Sequence, residues 1–532
     1  MKKIIYILSI ALIVSSCSDF LDTEPMTSKV NTNFYQTPED IKQAMNGIYS
    51  LLNPGLNPFM HSFFVSELMS DDRFAGCGGV DGKIHAIADF ENFANDMYLQ
   101  TWEDNYKGIF RANMLLGSLD QVENWESEVQ KNRYEGEALF MRAYYYFDLA
   151  RMFGTVPLVL ATESQNLPKA SPEELFGQIA KDMRAAVEKM PDDPYSVSDI
   201  GRATKWVAQG MMARVFLYYT GVYGKTFISI VEEEDMTIDE VIANVDDCIA
   251  RSGHKLVEDF RNLWPYAYAT EDYSYAGDNN LSWVGEEGGN TEAMFSIRFG
   301  ALGSGTHNTF NLYFGVRMQN TYPFGYGWGA GPVNPQLWDS WNDSDLRKVA
   351  SICDVNAEDI GYNPSSDQYH ETYLWQKKYM PINVRVDGKR KSMFTYIYES
   401  PDNNMECNTQ EVVLLRLADV MLMGAELGSS KAQEYMDEVR DRVNLPSVPP
   451  TLENIKKERR HELAFEGIRY YDLMRWGELS SALGQVQNIP VETEGEPDEY
   501  SISYRPETNG FLPIPESQVQ LSDGVLEQNA GW

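Results

Sequence analysis

The sequence predicts a mainly α-helical protein built from stacked helical hairpins, with a long loop-rich insertion before its last helices. Residues 37–40 (TPED) and 171–174 (SPEE) each combine an N-cap hydroxyl, a proline at the first helical position and acids in the first turn. Apolar residues then recur every three to four positions, as on the buried face of a helix. A change of composition after residue 255 predicts the insertion.

The helices follow one another along the chain with short connections. The first capped start opens a helix that the Asn53-Pro54-Gly55 turn ends, and the second opens a helix that ends at Pro191. The same periodicity predicts helices over residues 97–119, 128–153, 202–219, 238–251, 411–427, 432–443 and 452–476. Short connections favour helical hairpins that stack side by side into a solenoid-like scaffold.

Residues 256–408 differ from the helical parts on either side, 31–255 and 409–532. This stretch is rich in Tyr, Trp, Gly, Asn and Asp and has few periodic apolar runs, so it predicts loops with a few short strands. A loop insertion of this length is uncommon in a compact protein unless it carries function. The insertion is therefore the place to look for ligand-binding residues.

The N-terminus has the pattern of an export signal. Lys2 and Lys3 precede a short apolar run, and small residues lead to Cys17, after which the chain becomes polar. We predict a signal peptide over residues 1–16, a lipidated Cys17 and a flexible leash over residues 17–30. Ordinary secretion, with Cys17 incidental, is the alternative.

The charge balance restricts the partners of the protein. The chain has 79 acidic and 44 basic residues, a formal net charge of −35, so nucleic acid and anionic lipid are poor partners. Four cysteines remain after Cys17 without any CxxC pair, which argues against a zinc or redox site. Whether any two of them form a disulfide stays open, and no cofactor is predicted.

Several motifs together resemble the SusD/RagB family. They are CSDFLD at residues 17–22, FYQTPED at 34–40 with NGIY at 46–49, EALFMRAYYYF at 137–147, RHELAFEGIRYYDLMRWG at 460–477, LPIP at 512–515 and QNAGW at 528–532. They cover nearly the whole chain in the family's order. The family usually has a proline where this chain has Ala530.

The resemblance implies a tetratricopeptide-like helical scaffold that carries an irregular face. It also implies a lipid-anchored protein at the cell exterior that binds a glycan, or in some members a peptide, as a lid on a SusC-like TonB-dependent transporter. Such a protein catalyses no reaction. The partners expected on this basis are the transporter, an oligosaccharide and outer-membrane lipid through acylated Cys17.

An aromatic loop in the insertion is the first candidate for binding a sugar. Tyr322, Phe324, Tyr326 and Trp328 alternate with proline and glycines, which permit exposure and close approach of a ligand. Flat apolar ring faces match the C–H side of sugar rings, and planar polar groups reach hydroxyls. The alternative is that these rings anchor the loop in the protein interior.

Two further candidates rest on the resemblance. The family commonly contributes ligand contacts from the segment that here reads SDDRFAGCGG, residues 70–79, which nominates Asp71, Asp72 and Arg73. An internal ion pair that braces the loop is the alternative. The family often places an aromatic residue with an amide or acid at the next helix, which here nominates Asn92, Asp96 and Trp102 as ligand contacts. Packing in the helix core is the alternative for Trp102.

The sequence gives less support for a catalytic site than for a binding site. His461-Glu462 opens like a zinc-protease motif, but Phe465 stands where the second histidine is required. We assign the charged residues of this segment to ion pairs between helices; they are Glu462, Glu466, Arg469, Asp472 and Arg475. A glycoside hydrolase with two carboxylates and a scaffold that binds only proteins are the other functions considered.

Overall fold

The computed structural model describes residues 34–58, 61–92, 94–194, 201–285, 289–300, 306–358, 360–399, 403 and 407–532. The predicted signal peptide, Cys17 and the leash lie outside the described residues.

Helices form the N-terminal part. They are α1 (Pro38–Tyr49), α2 (Ser62–Leu68), α3 (Gly82–Ala88), α4 (Leu99–Ser118), α5 (Glu128–Phe153), α6 (Pro172–Lys189), α7 (Lys205–Tyr223) and α8 (Ile238–Arg251). Both predicted capping boxes are present, since Thr37 caps α1 and Ser171 caps α6 and each exchanges hydrogen bonds with the acid three residues later. The sequence therefore locates both helix starts to the residue.

The middle part consists of loops with short elements. Its helices are α9 (Ser274–Asp278), α10 (Thr309–Phe314), α11 (Pro335–Ser340), α12 (Arg347–Ser351) and α13 (Met393–Tyr398), and its strands are β1 (Ala293–Ile297), β2 (Ile352–Asp354), β3 (Leu374–Gln376), β4 (Asn383–Val386) and β5 (Lys389–Ser392). β2 pairs with β3 and β4 with β5, both antiparallel. Short strands in a loop-rich region agree with the composition.

The C-terminal part begins with a strand. Its elements are β6 (Val412–Arg416), α14 (Leu417–Leu427), α15 (Ala432–Asp441), α16 (Leu452–Glu462), α17 (Arg469–Arg475), α18 (Leu479–Leu483), β7 (Ile489–Thr493), β8 (Glu496–Tyr500) and α19 (Glu516–Leu521). β6 pairs antiparallel with β1, so the insertion and the C-terminal part share a two-stranded sheet.

Two predicted helices are wrong in part. The helix predicted over residues 411–427 starts only at Leu417, because its β-branched, apolar beginning pairs with β1 instead. The helix predicted over 452–476 is broken between α16 and α17, where Phe465 and Gly467 adopt positive φ angles of 65° and 71°. The amide of Gly467 donates a 2.7 Å hydrogen bond to the Glu67 carboxylate, a contact across 400 residues of sequence.

The helices pack in chain order from α4 to α8, and α14 packs on α8. α17 lies against α7, which closes the C-terminal part onto the N-terminal part around a shared apolar core. The mainly α-helical class is confirmed. Among the described residues, no helix is both long and apolar enough to cross a bilayer.

A buried ion-pair cluster ties α16 and α17 to the insertion. Glu462 contacts Arg347 at 2.8 Å and Arg416 at 2.7 Å and also pairs with Arg442. The other predicted ion-pairing residues are paired as well, Glu466 with Lys378 and Arg416, Arg469 with Asp71, Asp472 with Arg459 of α16, and Arg475 with Glu426 of α14. The prediction of ion pairing in this segment is confirmed.

Candidate functional site

The two sequence segments proposed for ligand binding lie side by side. The Cys77 amide donates to the Gly329 carbonyl at 2.6 Å, and the Gly331 amide donates to the Ala75 carbonyl at 2.9 Å. Gly76 has a φ of +66°, and a Cβ atom there would lie 2.2 Å from the Gly329 oxygen. Glycine at position 76 thus allows the glycine-rich loop to join the aromatic loop of residues 322–328.

The acidic and basic residues before the glycines face inward. Asp71 binds Arg469 at 2.8 Å, and Asp72 binds Arg460 at 2.6 Å. Burial alone would raise the pKa of Asp71, but the Arg469 and Arg460 guanidinium groups lower it to about 2. Both carboxylates are therefore committed to ion pairs inside the protein.

Arg73 is still deeper, with none of its surface exposed. Its Nε lies 2.6 Å from the Glu67 carboxylate, and its guanidinium stacks between the rings of Phe314 and Phe465 at 4.3 and 4.7 Å. A ligand has no access to this side chain. The proposal that residues 71–73 contact a ligand is accordingly replaced by its alternative, an internal ion-pair brace beneath the glycine-rich loop.

The aromatic loop divides into buried and accessible rings. Phe324 has no exposed surface and packs edge-on against Tyr273 at 5.7 Å, so it anchors the loop and does not face a ligand. Tyr322, Tyr326 and Trp328 are partly exposed. The Tyr322–Pro323 peptide bond is cis. Three of the four predicted rings are thus available at the surface.

Trp328 is held from both sides of its backbone and by its ring. Its amide donates to the Leu312 carbonyl at 2.7 Å, and its ring meets that of Tyr313 edge to face at 4.7 Å. The Arg317 Nη1 donates to the Trp328 carbonyl at 2.8 Å. The indole is therefore fixed before a ligand arrives, which lowers the entropy cost of stacking a sugar on it.

Arg317 joins the aromatic loop to a polar cluster. Its Nε and Nη2 donate to the two oxygens of Asp367 at 3.0 and 2.6 Å, and the Asp81 carboxylate lies 3.8 Å from Nη1. Hydrogen bonds from Arg317 and Ser365 hold the pKa of Asp367 well below its usual range. Asp367 is charged at neutral pH and accepts hydrogen bonds, and it cannot serve as the raised-pKa acid that a glycosidase requires.

A tyrosine completes the edge of the cluster beside the glycines. The Tyr369 amide donates to the Cys77 carbonyl at 2.8 Å, and a Cβ atom on Gly79 would lie 2.6 Å from the Tyr369 hydroxyl. A Cβ atom on Gly78 would lie 2.6 Å from Arg317 Nη2. The glycines therefore make room for the very side chains that border the loop.

We call the set formed by Asp81, Arg317, Tyr326, Trp328, Asp367 and Tyr369 the aromatic-loop surface. It combines partly exposed rings with a guanidinium and two carboxylates, which is the chemistry that sugar hydroxyls and ring faces require. The sequence nominated its two loop rings but missed its polar members. Asp81 follows the glycines that were singled out, whereas Arg317 and Asp367 carry no local signal.

The third group of predicted residues lies elsewhere, between α4 and the C-terminal segment. Asn92 and Asp96 are exposed, and the Asp96 carboxylate accepts a hydrogen bond from the Ser517 amide at 2.9 Å. Trp102 is only 4% exposed and packs on Phe153 at 5.3 Å, as its helix-core alternative states. Their contacts do not join the aromatic-loop surface.

Trp102 also borders a groove of about 640 Å³ between α4, residues 157–167 and α19. Tyr106 and Phe110 follow it at four-residue spacing on the same face of α4, and Phe110 is 48% exposed. The groove is a concave surface with aromatic lining, separate from the aromatic-loop surface. Among the described residues, no group of three or more His, Cys, Asp or Glu side chains is arranged to hold a metal ion.

Comparison with known families accounts for most of the chain. Residues 19–217 match the family model described as starch-binding associating with outer membrane, and residues 291–532 match that of the SusD family. Residues 1–18 match the model of a prokaryotic membrane lipoprotein lipid attachment site. The last match covers the predicted lipidation residue, Cys17.

Individual proteins are similar over nearly their full length. SusD-like protein P2 of Formosa agariphila is 25% identical over 100% of this chain and 99% of its own. A SusD-like protein of Bacteroides ovatus is 26% identical over 89% of this chain and 82% of its own. A solved structure titled laminarin binding SusD-like protein is 27% identical, with a TM-score of 0.73 over 94% of this chain and 100% of that one.

Proposed function

The chain belongs to the SusD/RagB family, and from this premise we propose that it binds an oligosaccharide at the aromatic-loop surface and passes it to a SusC-like TonB-dependent transporter. The lipid attachment site at its start supports a lipid anchor on Cys17 at the outer membrane. In this proposal the protein faces the cell exterior and catalyses no reaction.

The observation that carries the proposal is the fixed Trp328 ring beside the Arg317–Asp367 pair. A sugar ring stacked on the indole would bring its hydroxyls within reach of a guanidinium and a carboxylate that are already held in place. The 27%-identical relative whose title names laminarin supports an oligosaccharide as the ligand. Binding by few rings in an open surface predicts dissociation constants in the micromolar to millimolar range, about −8 to −4 kcal/mol.

The first test is calorimetry of the full mature chain with laminarin oligosaccharides and other glycans. Trp328→Ala removes a stacking face, and covering an aromatic side chain contributes about 1.5–3 kcal/mol, so Kd is expected to rise roughly ten- to a hundredfold. Trp338→Ala is the matched control, because Trp338 is a partly exposed tryptophan whose ring packs on Lys348 and on the apolar cluster around Leu337. Equal affinity in both variants would remove the aromatic-loop surface as the site.

The same titration distinguishes glycan binding from the alternative functions. Binding of peptides in place of glycans would identify a peptide lid, and no binding of either at millimolar concentration would identify a scaffold for proteins only. Release of new reducing ends from a bound glycan, lost on substitution of one carboxylate, would identify a glycoside hydrolase. We expect binding without turnover.

The transfer step and the anchor are tested in cells. A Cys17→Ser variant is expected to lose incorporation of labelled palmitate and to leave the membrane fraction. Cross-linking of the lipidated protein at the cell surface is expected to recover a TonB-dependent barrel, and its absence from the cross-linked material would contradict the lid role.

A further inference from the structure

A strongly basic hairpin adjoins the aromatic loop of residues 322–328 in this acidic protein. β4 and β5 are joined by Asp387 and Gly388, both with positive φ angles of 50° and 72°, as a tight two-residue hairpin turn requires. Residues 383–392 contain four basic residues and one acid, whereas the whole chain has a net charge of −35. The hairpin is a local exception to the charge of the surface.

The strand register places two arginines opposite each other. Arg385 pairs with Arg390 across the hairpin, so both side chains lie on one face. Directly opposed like charges destabilise a two-stranded sheet. The arrangement therefore needs negative charge from outside the hairpin to offset the repulsion between the two guanidinium groups.

Among the described residues, only one of the four basic side chains of the hairpin pairs with a carboxylate. Arg385 pairs with Asp272 at 3.1 Å. Within the described residues, Lys389, Arg390 and Lys391 have no carboxylate oxygen within 4 Å of their side-chain nitrogens. Lys389 and Arg390 are exposed and Lys391 is partly exposed.

The hairpin is attached directly to the aromatic loop. The Asn383 amide donates to the Pro323 carbonyl at 2.6 Å, and the Asn383 side chain donates to the Thr321 carbonyl at 2.7 Å. The Arg385 guanidinium lies 5.1 Å from the ring centroid of Tyr322. Since Arg390 is the cross-strand neighbour of Arg385, its position is one strand spacing, about 5 Å, from the residue that covers Tyr322.

The net charge of the protein does not cancel this patch. Exposed charges more than about 8 Å apart are largely screened at physiological ionic strength, so distant acids act weakly on an ion held at the hairpin. A guanidinium also binds carboxylate and sulfate groups through two parallel hydrogen bonds. The short-range chemistry of the hairpin therefore favours anions.

We propose that the hairpin extends the aromatic-loop surface and selects an anionic oligosaccharide, one that carries carboxylate or sulfate groups. Sugar rings stack on the exposed rings of the loop while Lys389 and Arg390 bind the charged substituents. This inference rests on the proposed function and adds the chemical class of the ligand. A phospholipid surface would satisfy the same charges, but the attachment of the hairpin to the aromatic loop favours the saccharide.

The test compares two oligosaccharides of equal length and linkage, one neutral and one sulfated or uronic-acid containing. Calorimetry uses the full mature chain with Cys17→Ser, which removes the lipid anchor, and the same protein with Lys389→Gln and Arg390→Gln. Lys457→Gln on α16 is the matched control, since Lys457 is exposed and lies outside the hairpin. Both substitutions remove exposed charges, so the strand pairing of the hairpin is expected to persist.

The Cys17→Ser protein with an intact hairpin is expected to bind the anionic oligosaccharide at least about tenfold more tightly than the neutral one at low salt. This preference is expected to be lost at 0.5 M salt. The double variant is expected to lose that preference and keep its affinity for the neutral sugar. Equal affinity for both sugars, with sensitivity to Trp328→Ala retained, would overturn the inference and leave the proposed function intact.

Two further outcomes would also overturn it. If the double variant loses binding to phosphatidylglycerol vesicles but not to the anionic sugar, the hairpin is a membrane contact. If neither sugar binds at any concentration and Trp328→Ala changes nothing, the proposed function fails together with the inference.

Discussion

Glu462 is expected to be the most sensitive single position for stability. Its carboxylate is fully buried and pairs with Arg347, Arg416 and Arg442. Glu462→Gln keeps the shape of the side chain but leaves three buried guanidinium groups short of one negative charge. Breaking a buried pair in this way costs about 3–5 kcal/mol, because the remaining charges stay desolvated.

The expected shift of the melting temperature follows from the size of the protein. An unfolding entropy of about 2.1 cal/mol/K per residue over roughly 500 residues gives about 1 kcal/mol/K, so Tm falls by about 3–5 °C. Calorimetry of Glu462→Gln beside Glu453→Gln measures it, since Glu453 is an exposed glutamate on the same helix. Equal Tm values for the two variants would refute the argument that the cluster is strongly coupled.

The pH dependence gives an independent check on the same residue. Burial would raise the pKa of Glu462, but Arg442, Arg416 and Arg347 hold it well below its usual range. The stability that this depressed pKa contributes is fully present above the unfolded value, about 4.3, and is lost as pH falls below it. The Tm difference between the native protein and Glu462→Gln is therefore expected to narrow between pH 5 and pH 3, and a constant difference would contradict the ion-pair explanation.

Three other predictions use different parts of the fold. Burial lowers the pKa of His254 to about 4. The stability that the neutral imidazole contributes is present above the unfolded pKa of about 6.5, and it is lost at up to about 1.4 kcal/mol per pH unit as pH falls towards 4. Urea titrations at several pH values should therefore show a free energy of unfolding that depends less steeply on pH in His254→Gln than in the native protein. Cys77, Cys248 and Cys353 are buried free thiols, and a thiol reagent should label them only after denaturation. Gly78→Val, which displaces Arg317, should weaken glycan binding in calorimetry by about tenfold with a smaller effect on Tm than Glu462→Gln.

The sequence predicted the helices whose ends are set by local chemistry. Thr37 and Ser171 provide their own capping partners within four residues, so nothing distant is needed to place α1 and α6. The break between α16 and α17 depends instead on Glu67, which accepts a hydrogen bond from Gly467. Gly467 alone was too weak a signal against the helical periodicity around it.

The residues of the candidate site likewise fall into those that a local sequence pattern indicates and those that meet only in the folded chain. The rings of Tyr326 and Trp328 could be nominated because alternating glycines mark an exposed loop locally. Arg317 and Asp367 are separated by 50 residues and meet only after the insertion folds back on the glycine-rich loop. No pattern within either segment indicates that pairing.

Burial of Asp71 and Asp72 changes their role but keeps them important for the surface above them. Their partners Arg469 and Arg460 lie on either side of the break between α16 and α17, so the two ion pairs fix the start of the glycine-rich loop to the C-terminal helices. The Asp72 carbonyl accepts a hydrogen bond from the Asn334 amide, and the Ala75 carbonyl accepts one from the Gly331 amide. These two hydrogen bonds fix the chain that follows the aromatic loop to the glycine-rich loop. The motif that resembles a ligand contact in sequence thus sets where Trp328 stands, because the charges below the surface hold both loops that form it.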